Sequence, residues 1–257
     1  MESFDKIAYT SKILKNNPNE KMLFSILTLI TTLFLNNNYI SAIVLLLMYF
    51  FIVYIGGIKN KIFFKLFTLP LIFLFISIIS IMITKVSPLK EYIFTFSIAS
   101  YEYGISKNAI LDGLRIVLKT LSCVSCLYFL ILTTAVTDIL YTLEKIKLPK
   151  IFIELVGLVY RYIFVIIEVS QLIYISQHSR LGYSNIKRSF NSMGKLISSL
   201  FLKALKQADE SFVSLEARCY NGEIKFINQN YISSKKNIIL IIILNLTFVL
   251  FNLFYIS

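Results

Sequence analysis

Five stretches of this chain are almost free of charge and approach the ~20 apolar residues that span a bilayer. They lie at about residues 22–35, 39–55, 66–84, 112–134 and 237–255. The chain is 57% hydrophobic and only 16% charged, and a soluble domain of this length has no use for so much apolar surface. The first stretch is short for a span and must recruit flanking residues or thin the bilayer locally. Asn36 to Asn38 make a short uncharged turn, and Gly56-Gly57 opens a basic loop with Lys59, Lys61 and Lys65. The first twenty residues are polar and carry lysines, so no cleavable signal is expected.

The charge of +12 would suggest nucleic acid in a soluble protein, but no aromatic–basic platform accompanies it, and the positive-inside rule explains most of it. Lys6, Lys12, Lys15 and Lys21 precede the first span, and residues 135–236 carry fourteen Lys and Arg. The connection from 85 to 111 has Lys85, Lys90 and Lys107, balanced by Glu91 and Glu102. Five spans with a cytoplasmic N-terminus put every basic region in the cytoplasm and leave an irregular outer stretch at 92–111. The expected organisation is an N-terminal membrane region over 1–135, a cytoplasmic block over 136–236 and a last span over 237–257.

Residues 151–175 are apolar enough to rival a span, but crossing there would export the ten Lys and Arg of 171–236. The stretch also carries Glu154, Arg161 and Glu168 at seven-residue spacing, a stripe on one helical face that suits structural ion pairing in a non-spanning helix. This helix is about 42 Å long at ~1.5 Å per residue and ends at Ser179-Arg180-Leu181-Gly182, with Gly182 as its stop. A second helix runs over about 188–218, with an apolar stripe at Met193, Ile197, Leu200, Ala204, Ala208, Phe212 and Leu215. It ends at Ala217-Arg218-Cys219, with Asn221-Gly222 as the following turn. One arginine at a helix C-terminus is explained by the macrodipole. Two, at matching ends of adjacent long helices, point to a shared docking surface, since the planar guanidinium fork suits a carboxylate-lined pocket.

Other chemistry is thinly represented. Cys123 and Cys126 sit one helical turn apart in an apolar helix, as small packing residues do, and His178 is the sole histidine. Structural zinc wants four ligands, so no metal, cofactor or catalytic residue is expected. There is no G-x-x-x-x-G-K-[ST] phosphate loop, so the chain is not itself an ATPase. Arg115 and Lys119 lie near the outer part of the fourth span, where they can snorkel.

At these residues the sequence resembles a known family, the transmembrane coupling (T) component of energy-coupling-factor ABC importers, in particular its cobalt-transporter permease branch, CbiQ. Asn17-Pro-Asn-Glu-Lys21 resembles the start of the family's first span. Leu143 to Pro149 and Leu158-Val-Tyr-Arg-Tyr162 resemble the approach to its first coupling helix. Ser176-Gln-His-Ser-Arg-Leu-Gly-Tyr183 and Ala217-Arg-Cys-Tyr-Asn-Gly222 resemble its two arginine motifs, with Cys219 in place of the usual glycine. If that glycine serves a positive φ, the cysteine costs some strain.

The resemblance implies an all-α integral membrane protein with about five transmembrane helices and two long amphipathic cytoplasmic coupling helices. It implies a non-catalytic permease subunit that works with two cytoplasmic ATPases and a small substrate-binding membrane subunit. Arg180 and Arg218 would contact one ATPase each, flanked by Ser179, Gly182, Ala217 and Cys219. Cobalt or nickel is the implied cargo, with a T component shared by vitamin-binding partners as the alternative. A lipid-modifying membrane enzyme would need a catalytic cluster, and Glu154, Arg161 and Glu168 lack a nucleophile or metal partner. A secondary transporter would favour internal repeats and broken helices, and neither is evident.

The charge asymmetry makes a topological prediction. In a background lacking the native cysteines, an impermeant thiol reagent applied to intact cells should label Ser257→Cys and spare Asn60→Cys and Phe190→Cys. Labelling at 60 or 190 with none at 257 overturns the orientation.

Overall fold

A computed structural model describes residues 4–14, 16–35, 37–82, 84–85, 92–98, 101–146, 148–220, 231 and 234–256. It divides into two compact units, one of Met1–Ile139 with Asn230–Ser257 and one of Leu140–Gln229. The first holds α1 (Phe4–Thr10), α2 (Pro18–Phe34), α3 (Asn38–Phe50), which runs on into a π-helical turn at Phe51–Ile55, and α4 (Asn60–Met82). Strands β1 (Thr84–Lys85), β2 (Tyr92–Ile98) and β3 (Tyr101–Ser106) follow, then α5 (Lys107–Thr133). Helix α6 (Val136–Lys145) leads into the second unit, which holds α7 (Lys150–Ser179) and α8 (Ile186–Ala217). The chain returns to the first unit for α9 (Lys235–Ile256).

This is an all-α integral membrane protein carrying one small sheet. Four helices are long and apolar enough to cross a bilayer: Asn38–Ile55, Asn60–Ile81, Ala109–Thr133 and Lys235–Phe254. The 17 residues of α2 make a rod of about 26 Å. Asparagine starts both of the first two long helices. Asn17 Oδ1 accepts from the Asn19 N–H at 3.0 Å, ahead of Pro18, and Asn37 Oδ1 accepts from the Tyr39 N–H at 3.0 Å. The turn expected at 36–38 falls where α2 gives way to α3, with residue 36 outside the described residues.

The stretch expected to be irregular is partly a sheet. β3 lies between β1 and β2 and is antiparallel to both, pairing Gly104 with Thr84 and Tyr103 with Phe96. The sequence carries the reason: Phe94, Phe96 and Ile98 alternate with Thr95 and Ser97, a period of two that suits a strand.

The core of the first unit joins α2, α3 and α5 through Phe24, Val44, Met48, Ile52, Phe129 and Leu132. The rings of Phe24 and Phe129 meet edge to face at 5.4 Å. Several polar side chains on these helices pair across to a neighbour. Ser25 donates to the Cys126 carbonyl at 2.7 Å, and Thr31 donates to Asn245 Oδ1 on α9 at 3.0 Å. Cys123 and Cys126 are free thiols, and Cys126 is fully buried, accepting from Thr28 at 3.6 Å.

Pro70 sits inside α4, where its missing N–H leaves the carbonyl four residues back without its helical donor. That carbonyl belongs to Leu66, and the Tyr128 hydroxyl on α5 donates to it at 3.0 Å. A side chain from the neighbouring helix thus supplies the bond that proline removes, as helices in lipid require. Tyr128→Phe should leave the carbonyl unpaired and lower stability by about 0.5–1.5 kcal/mol, measured as a shift in the unfolding midpoint in mixed micelles. A phenylalanine variant as stable as the parent would mean that this hydrogen bond carries no weight.

Candidate functional site

The two arginines close α7 and α8 with the same backbone geometry. Arg180 has φ −94° and ψ 18°, and Arg218 has φ −95° and ψ 17°. The next residue in each case, Leu181 at φ 57° and Cys219 at φ 56°, is left-handed, and among the described residues these two are the non-glycine residues with positive φ. Two bonds close each turn. Gly182 N–H donates to Gln177 at 2.9 Å and Leu181 N–H to His178 at 3.0 Å; Tyr220 N–H donates to Leu215 at 3.0 Å and Cys219 N–H to Glu216 at 2.9 Å. Both are complete Schellman caps, with arginine as the last half-helical residue.

The expected stop at Gly182 is therefore shifted by one. Leu181 takes the left-handed conformation, and Gly182 is needed for close approach: a Cβ there would lie 2.8 Å from the Gln177 carbonyl oxygen and 2.8 Å from Ser192 Oγ. Cys219 does occupy the left-handed position. Ser179 is the last residue of α7 and donates to Ile175 at 2.9 Å, and Ala217 is the last residue of α8. The guanidinium groups of Arg180 and Arg218 are exposed, and neither has a hydrogen-bond or ion-pair partner among the described residues. Asn221-Gly222 lies outside the described residues.

Helices α7 and α8 form an antiparallel pair. Tyr220 beyond the end of α8 donates to Glu154 near the start of α7 at 2.9 Å, and Tyr162 donates to Ser211 further along. At the connecting turn Ser192 donates to the Gly182 carbonyl at 2.9 Å. Between these points Val165 and Val169 face Leu200, Ala204 and Ala208 across a cavity of about 210 Å³. Of the expected α8 stripe, Leu200, Ala204 and Leu215 are half-buried, while Met193, Ile197, Ala208 and Phe212 are exposed and Leu196 is the buried residue.

The antiparallel pairing corrects the idea of one shared surface. The C-termini of antiparallel helices lie at opposite ends, so the arginines are separated by on the order of 40 Å along the pair. They can serve as two contact points, one at each end.

Glu154, Arg161 and Glu168 do not form the expected ion-paired stripe. Seven residues of helix separate neighbouring charges by about 10 Å, too far for contact. Glu154 is buried at 7% exposure and accepts from Tyr220, while Arg161 and Glu168 are exposed and unpaired among the described residues. The hydrogen bond to the Glu154 carboxylate holds the Tyr220 hydroxyl above its ordinary pKa. At the other end, Tyr183 donates to the Gln177 side chain at 2.8 Å and packs on Tyr174 with ring centroids 4.8 Å apart. His178 stacks on Tyr183 at 6.5 Å. An aromatic residue therefore braces each arginine motif. The tyrosines at 183 and 220 are legible in the motifs themselves, but the partners Gln177 and Glu154 need the three-dimensional pairing.

The sequence model of the family CbiQ, described as cobalt transport protein, matches residues 10–228. The uncharacterized protein MJ1089 of Methanocaldococcus jannaschii is 28% identical over 244 residues, 94% of this chain and 89% of that protein. The putative fused cobalt transport protein CbiMQ of Methanocorpusculum labreanum is 32% identical over 168 residues, 65% of this chain and 28% of its own longer chain. The energy-coupling factor transporter transmembrane protein EcfT of Staphylococcus aureus is 26% identical over 132 residues, 47% of this chain and 49% of that protein.

The caps make a stability prediction. A left-handed non-glycine residue costs about 1–2 kcal/mol, so Cys219→Gly should relieve part of it and slow hydrogen exchange at the Tyr220 amide. Cys219→Val, branched at Cβ, should speed that exchange, and Gly182→Ala should loosen the α7 cap. Exchange at Tyr220 that is the same in Gly, Cys and Val variants would mean that position 219 carries no strain.

Proposed function

The chain belongs to the CbiQ family of cobalt transport proteins, and on that footing we propose that it is the transmembrane coupling (T) subunit of an energy-coupling-factor ABC importer. In this role it catalyses nothing. It holds two cytoplasmic ATPase subunits and passes their motion to a separate small membrane subunit that binds the substrate, cobalt or nickel. The observation that carries the reading is the pair of matching arginine caps at opposite ends of one helical pair. Two separated forked cations, without a partner among the described residues, suit two partners with acidic pockets better than one.

The topology in this reading is five spans, α2 to α5 and α9, with the N-terminus and residues 135–236 in the cytoplasm. The first unit supports it independently of charge. Lys21 on α2 donates to Thr133 at the end of α5, and Glu20 accepts from Ser234 and Asn237 at the start of α9. Those three helix ends therefore share one face, so the chain between residues 134 and 233 crosses the membrane an even number of times. Fourteen Lys and Arg in 135–236 favour zero crossings. A T component shared by vitamin-binding subunits differs only in its partner, and the ligand of the co-purifying small membrane subunit tells the two apart.

Arg180→Ala and Arg218→Ala should each cut metal uptake sharply, and together abolish it while the protein still inserts. Removing an arginine from a buried, charge-paired contact costs about 2–5 kcal/mol. An arginine that only caps a helix costs about 0.3–1 kcal/mol. Lysine restores the charge without the fork, so Arg→Lys should rescue a capping role and fail at a two-pronged contact. The measurement is ATPase co-purification together with uptake. Full association and full uptake in the double variant would sink the proposal.

A further inference from the structure

Glu20 and Lys21 are consecutive residues in the first turn of α2, and both are buried, at 8% and 5% exposure. Their directions differ. The Lys21 ammonium donates to the carbonyl of Thr133, the last residue of α5, at 3.0 Å and to that of Leu14 at 3.4 Å. The Glu20 carboxylate accepts from the Ser234 N–H and the Asn237 side-chain amide, both at 2.8 Å, where α9 begins. Each charge meets a helix pole of opposite sign: the cation the last carbonyl of α5, the anion the backbone N–H of Ser234 and the Asn237 side-chain amide at the start of α9. A direct tie closes the same place, since Tyr231 on the return path donates to Asp138 in the first turn of α6 at 2.8 Å.

These contacts sit at the two covalent roots of residues 140–229, the outgoing one at Thr133–Asp138 and the returning one at Tyr231–Asn237. We propose that Glu20 and Lys21 are positioning residues for transport that fasten both roots to the start of α2, so that a pull on either root moves α2, α5 and α9 together. This rests on the coupling-subunit reading, because the pull is supplied by the ATPases. Arg180 and Arg218 gather the force, and the clasp delivers it to the membrane helices. Breaking the clasp therefore leaves ATPase docking intact and separates hydrolysis from uptake.

The test uses the full chain in two arms. In the first, spin labels on Thr137→Cys and Lys235→Cys, one at each root, report a distance distribution in the purified protein reconstituted in lipid, in a background lacking the native cysteines. It should be narrow in the parent and broader in Lys21→Met and in the milder Glu20→Gln, with Lys21→Arg close to the parent. In the second arm, the assembled transporter carrying Glu20→Gln or Lys21→Met should keep its ATPases and at least half of its ATP hydrolysis, while uptake per ATP falls tenfold or more and Lys21→Arg restores it. Unchanged distances overturn the clasp. Broadened distances with unchanged uptake per ATP, or uptake and hydrolysis falling in equal proportion, overturn its coupling role. A parent protein that binds no ATPases at all would defeat the coupling-subunit reading and leave the first arm standing.

Discussion

A helix that stops at a membrane boundary exposes up to four backbone groups at each end, and burying those groups without partners is costly. The first unit meets this constraint at one point. The N-terminus of α2 supplies a carboxylate and an ammonium from adjacent residues, and each completes the end of a different helix. The arrangement explains how ionic side chains can be so deeply buried there. Neither is left in apolar surroundings alone, because Lys21 is surrounded by carbonyls and Glu20 by N–H groups. The order of the packed helices follows, since α2 can serve both neighbours only by lying against α5 and α9.

The same economy runs through the membrane helices. Ser25 reaches the Cys126 carbonyl, Thr31 reaches Asn245, and Tyr128 supplies the donor that Pro70 withholds from Leu66. Each bond crosses from one helix to another, and each is small in free energy. Lipid gives apolar side chains no reason to prefer a neighbouring helix, so packing complementarity and such bonds carry the specificity of the bundle. Cys123 and Cys126 belong to this pattern of small residues that let α5 approach α2.

Much of this was readable from residue patterns. The apolar stretches lie within α2 to α5 and α9 to within a few residues, because helix length and hydrocarbon thickness are tied. The long helices of the second unit, and the arginines at their ends, followed from three- and four-residue apolar steps. What pattern could not give was relative direction. Two helices that each end in arginine look alike in one dimension, although the 32 residues of α8 between Arg180 and Arg218 already hold the two cations tens of ångströms apart, and the bond from Tyr220 to Glu154 shows that the helices run antiparallel. Glycine is the usual occupant of a left-handed turn, yet here Leu181 accepts the strain and Gly182 makes room for Ser192. Glu154 falls on a charged stripe in the sequence, and a hydrogen-bond partner of its carboxylate lies 66 positions away. The strands at Tyr92–Ile98 and Tyr101–Ser106 carry a period of two, but their pairing joins residues that no local pattern connects.

The matching caps turn the helical pair into a ruler. Because each arginine leaves its helix at the same backbone angles, the span between the two cations is fixed by a number of residues rather than by side-chain packing. A single-residue insertion in either helix rotates everything beyond it by about 100° and turns one arginine away from its partner. Seven residues added to both helices would restore nearly the same facing and lengthen the span by about 10 Å. Chain length in α7 and α8 is therefore quantised by the spacing of whatever the arginines hold. Change between relatives should come in paired steps of about two turns, because an insertion in the connecting turn at 180–185 would break the Arg180 cap that Gly182 and Ser192 close.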